Sequence, residues 1–88
     1  MNSNLKMYFD KRLSRLSLYY NRIVSVDLNL NLDNHTSQIN KFVELRVNIP
    51  GEDVVVGKKS ESFEKSLDMA ASTAERMLKR RKEKSHIS

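Results

Sequence analysis

Nine residues, Val24-Ser25-Val26-Asp27-Leu28-Asn29-Leu30-Asn31-Leu32, alternate apolar and polar without a fault. In an extended chain successive side chains point to opposite faces, so one face here is purely aliphatic and the other is Ser, Asp and Asn. A strand of this kind belongs to a sheet with one side on a core and the other in water. The spacing predicts a strand over residues 23–32 and a second over 42–49. In the second, Val43, Leu45, Val47 and Ile49 share one face, and Phe42, Glu44, Arg46 and Asn48 take the other. The DNHTSQIN segment between them reads as a loop. Pro50-Gly51-Glu52-Asp53 reads as a tight turn, with Pro presetting φ and Gly tolerating positive φ. A third strand over residues 53–59 completes an antiparallel meander.

Two amphipathic helices flank these strands. In LKMYFDKRLSRLSLYY, residues 5–20, Leu5, Tyr8, Phe9, Leu13, Leu16, Tyr19 and Tyr20 fall on one broad side, with Asp10, Lys11 and Ser14 opposite. Ser3 or Asn4 is a candidate cap and Asn21 a candidate stop. Arg12 projects toward the apolar side, where snorkelling would pack its stem and leave the guanidinium in water. The second helix spans about residues 61–84, with Ser60 as candidate N-cap. Its stripe is Phe63, Leu67, Ala70, Ala71, Ala74, Met77 and Leu78. The order α-β-β-β-α gives an α+β fold: a two-layer domain, mainly antiparallel sheet, with two helices on one face. Residues 24, 26, 28, 30, 32, 43, 45, 47 and 49 are expected beneath the helices.

The 88 residues suit one domain, residues 1–84, with 85–88 as a frayed tail. There is no Cys, hence no disulfide framework or thiolate site. No run is long and apolar enough to span a bilayer and no signal-peptide pattern opens the chain, so the expected location is cytoplasmic. The two histidines, His35 and His86, fall in the loop and the tail, with no metal-ligand spacing and no carboxylate pair placed for acid–base chemistry. The chain reads as noncatalytic, with no cofactor or metal.

The net charge of +5 is unevenly spread. Residues 1–22 carry +4 and residues 76–88 carry +5, while the middle is acidic. If the two ends meet, they make one basic surface that attracts polyanions. In RMLKRRKEK, residues 76–84, Arg76, Lys79 and Arg80 stand at i, i+3, i+4 on one side of a helix. Lys11 and Arg15 stand at i, i+4 on the first helix, with Arg12 beside them. Rows of cations on rigid helices can track phosphates, and Arg adds bidentate geometry. The plainer alternatives are a solubilising face or membrane-surface attraction. Tyr8 and Tyr20 read as core-edge residues. Phe42, on the polar face of its strand, suits either base stacking or cross-strand packing.

Residues 5–32, LKMYFDKRLSRLSLYYNRIVSVDLNLNL, are similar to the first helix and following strand of the ribosome hibernation promoting factor family, the ribosome-associated inhibitors. SFEKSLDMAASTAERMLKRRKEK resembles that family's last helix, through Asp68, Met69, Ala70, Glu75, Arg76, Leu78, Arg80, Lys82 and Lys84. NIPGEDVVVG resembles its central hairpin. The resemblance implies a stress and stationary-phase translation inhibitor that binds the small ribosomal subunit and its rRNA at the decoding region, in the mRNA–tRNA channel. It implies RNA contacts by Arg12, Arg15, Arg76, Arg80 and Lys82, with Lys79 adding to the patch. Leu18 stands where many relatives carry a basic residue.

The family fold is β-α-β-β-β-α, so the resemblance implies an opening strand that this chain lacks. The edge at residues 23–32 is then expected to be bare, or to pair with a strand of another chain. The family's longer members add a C-terminal dimerisation domain, and this chain resembles the short form. Two rival readings remain. One is a double-stranded RNA-binding domain, which shares the order α-β-β-β-α and finds an echo in His35 and Gly57-Lys58-Lys59, although its usual Gly-Pro loop is missing. The other is a protein-binding adaptor with incidental basic helices.

Overall fold

The computed structural model describes the backbone of residues 3–32 and 40–87 and the side chains of residues 6–32 and 40–82. The expected loop with His35, the caps from Ser3 or Asn4, the Leu5 side chain and the side chains of the tail lie outside the described residues. The elements are α1 (Ser3–Ser14), a 3₁₀ turn (Arg15–Leu18), β1 (Ser25–Leu32), β2 (Lys41–Asn48), β3 (Val54–Ser60) and α2 (Phe63–Ile87). Among the described residues no strand precedes α1.

The first helix is shorter than its periodicity predicts. Ser14 Oγ donates to the Lys11 carbonyl at 2.9 Å, and Ser17 Oγ donates to the Ser14 carbonyl at 2.9 Å. Serine hydroxyls that bond back into the preceding turn compete with the regular ladder. The helix tightens there, and Leu16 is carried into the core with no exposed surface.

The sheet is an antiparallel meander in the order β1-β2-β3. Leu28 lies opposite Leu45, and Leu45 opposite Val56, so the aliphatic faces of all three strands coincide. Gly51, at φ 95°, takes the left-handed conformation in the β2–β3 turn that a side chain would strain. Val43, Leu45, Val47, Ile49, Val54 and Val56 are buried. Central β2 is covered best, whereas Val26, Leu28 and Leu30 on edge strand β1 are only half-buried. Val24 (74% exposed), just before β1, and Leu32 (56%), its last residue, correct the expectation that every apolar residue of 24–32 lies under the helices. They sit at the ends of an edge strand, beyond the helical cover.

The α2 stripe is as the periodicity predicts: Leu67, Ala70, Ala71, Ala74 and Leu78 are buried. The cap is different. Ser62 Oγ, not Ser60, accepts the Lys65 amide at 3.1 Å, the geometry of an N-cap. Ser60 is buried instead, 2.7 Å from Ser66 Oγ, and Ser66 donates to the Lys41 carbonyl at 2.6 Å. One serine from β3 and one from α2 thus tie the start of α2 to β2. Phe42 resolves toward cross-strand packing, since its ring lies over Gly57 in the space a Cβ would fill.

Candidate nucleic-acid interface

The two helices sit side by side on the sheet and run in the same sense. Phe9, midway along α1, packs with Val43 and Leu67, while Leu16, past its end, joins the cluster of Ala70, Ala74 and Leu78. This order carries Arg15 toward the half of α2 that holds Arg76, Lys79 and Arg80. At about 100° per residue, Asp68, Ser72, Glu75 and Lys79 form one row beside the buried stripe, on the flank facing α1. Lys82 lies near the same flank, and Arg76 and Arg80 point away from the sheet.

Arg12 meets that row. Its Nε donates to Asp68 Oδ1 at 3.1 Å, one terminal nitrogen donates to Ser72 Oγ at 3.0 Å, and the other donates to Glu75 Oε2. Only 13% of the Arg12 side chain and 13% of the Glu75 side chain are exposed, so this pair is largely withdrawn from water, while Asp68 is half in solvent. Burial opposes the guanidinium charge, but the bonds to Glu75 and Asp68 outweigh it and raise the Arg12 pKa. Interaction with the Asp68 carboxylate raises the Tyr8 pKa, with burial adding to the shift. The guanidinium therefore does not snorkel to water as its helical position suggests. In the sequence, Asp68 and Glu75 stand out only as matches to a family pattern. The signal for their role is the polar row at i, i+4, i+7 flanking an apolar stripe.

The other expected site residues stay outside. Lys11, Arg15, Arg76, Lys79, Arg80 and Lys82 are all exposed. Among the described residues no carboxylate pairs with any of these six. Arg81 turns the other way and donates to the Glu52 carbonyl at 2.6 Å, binding the helix to the β2–β3 turn. The basic run of α2 is thus divided between an outward face and a structural contact. A cleft of about 310 Å³ opens between the helices, lined by Tyr8, Lys11, Arg12, Arg15 and Asp68. Leu18, an apolar residue, is 75% exposed. At the opposite end of α2, Lys65 pairs with Glu61 at 2.9 Å, a contact that lowers the Glu61 pKa.

A family model described as "Sigma 54 modulation protein / S30EA ribosomal protein" matches residues 1–86. No curated protein matches the chain. Among solved structures, the N-terminal domain of Protein Y from Thermus thermophilus is 24% identical with a TM-score of 0.76, over 90% of this chain and 83% of that one. A ribosomal subunit interface protein from Coxiella burnetii is 21% identical with a TM-score of 0.77, over 92% of this chain and 85% of that one. At these identities the two structures share the fold.

Proposed function

The chain belongs to the Sigma 54 modulation protein / S30EA ribosomal protein family, and from that premise we propose that it is a noncatalytic translation regulator that binds the small ribosomal subunit and holds its decoding channel closed to mRNA and tRNA. No bond is made or broken. The domain occupies the channel as a rigid body, and phosphate contacts from its cations hold it there. One observation supports this reading most: six exposed cations, Lys11, Arg15, Arg76, Lys79, Arg80 and Lys82, stand on α1, the 3₁₀ turn that follows it and α2, without a carboxylate partner among the described residues. Unpaired cations keep their charge available for phosphate, and the packed scaffold that carries them spares the cost of ordering the backbone on binding.

The double charge reversal Arg76→Glu and Arg80→Glu tests the face. Both side chains are exposed and away from the core, so the helix is expected to remain folded while small-subunit binding falls sharply. The matched reversal of Lys58 and Lys59 on β3 is expected to matter less. The opposite ranking would favour a double-stranded RNA-binding domain, and no effect from either pair would favour a protein-binding adaptor.

A further inference from the structure

We infer that Arg12 serves the basic face by position rather than by contact: with Asp68, Ser72 and Glu75 it clamps α1 to α2 at the setting where Lys11 and Arg15 line up with the cations of α2. This rests on the reading of the face as an RNA surface. All three guanidinium nitrogens are already committed to α2. The two N–H groups left over belong to a side chain only 13% exposed, where a phosphate would meet two carboxylates that outnumber the one cation and would repel it; to take the bonded N–H groups it would have to displace those carboxylates. Glu75 would meanwhile be left largely buried without a partner.

The clamp is also needed where it stands. α1 is a 12-residue helix, a length that is marginal in water without tertiary support. Its described apolar anchors are Phe9 and Leu13, with Leu16 just beyond its end. Apolar contacts hold a helix down but fix its rotation and slide loosely. Three directional bonds to residues spaced i, i+4, i+7 fix both. Lys11 adjoins Arg12, and Arg15 lies about one turn further on, so a shift of α1 moves both cations relative to Lys79.

The decisive variant is Glu75→Gln, because the two accounts predict opposite signs. It removes a negative charge beside the basic row, so electrostatics alone would tighten binding to RNA. Loss of the clamp weakens it. The expected result is about tenfold weaker binding to isolated small subunits, with Arg12→Met similar and the double variant no worse than either. In the Glu75→Gln chain, Arg15→Gln should cost nothing further, since a displaced α1 no longer presents that cation. A general loss of stability would not produce that coupling. Amide exchange in residues 6–14 should be about tenfold faster in Glu75→Gln while β2 is unchanged. Unchanged exchange in α1 would overturn the inference, as would Glu75→Gln binding as tightly as the parent chain. Weakening by Arg12→Met alone would also overturn it and make Arg12 a direct contact. The exchange measurement needs no ribosome, so it judges the clamp even if the parent chain failed to bind, an outcome that would instead count against the proposed function.

Discussion

Residues with the same place in a sequence pattern differ here in how much they hold. Leu28 and Leu45 are paired across β1 and β2 and occupy equivalent steps of two alternating strands. Leu45 is fully buried in the central strand, while Leu28 is half-buried at the edge. Leu45→Ala is expected to cost about 2–5 kcal/mol. Leu28→Ala should cost roughly half as much, because part of that side chain is already in water. Denaturant unfolding of the two variants checks the ranking, and equal costs would mean that the β1 edge is covered in solution. Period-two alternation identifies which face a residue takes, and the structure agrees with it throughout both strands. It carries no information on strand order, so the exposure of Val24 and Leu32 could not be read from it. Arg12 is a similar case. Its angle on the helix was legible, but its partners lie 56 to 63 positions away, and only folding brings them together.

Among elements, α2 joins the core to the candidate face. Its buried stripe, legible as Leu67, Ala70, Ala71, Ala74 and Leu78, seats it closely on β2 and β3. Its start is fixed by a serine arrangement that the sequence pattern hides: Ser60 reads as the cap, and the fold moves that role to Ser62. Ser62 caps the helix, and Ser60 and Ser66 bond beneath it. Ser62→Ala is expected to destabilise the domain by about 1 kcal/mol, the usual cost of losing a side-chain N-cap. Thermal or denaturant unfolding would show it, and an unchanged midpoint would mean that the Lys65 amide finds another acceptor. The 3₁₀ turn after α1 escaped the helical periodicity for a related reason. Leu13, Leu16 and Tyr20 keep helical spacing, while Ser14 and Ser17 bond backward and tighten the backbone beneath them.

At the scale of the molecule, the sheet and its buried stripe set two helices side by side, and the helices divide the chain's cations into two roles. Arg12 and Arg81 bind the protein to itself, and Lys11, Arg15, Arg76, Lys79, Arg80 and Lys82 remain in solvent. The concentration of charge at the two chain ends was plain from the sequence, but which cations stay available was not, because that depends on carboxylates brought in by packing. The central claim is that this exposed set holds the domain on small-subunit RNA. Co-sedimentation with isolated small ribosomal subunits across a salt series tests it most directly. If several of the six cations contact phosphates, log affinity should fall linearly with log salt, with each contact adding roughly one unit or somewhat less to the slope. The Arg76→Glu and Arg80→Glu chain should bind more weakly and show a shallower slope. Binding that is indifferent to salt, and equally strong in the parent and the reversed chain, would contradict the account.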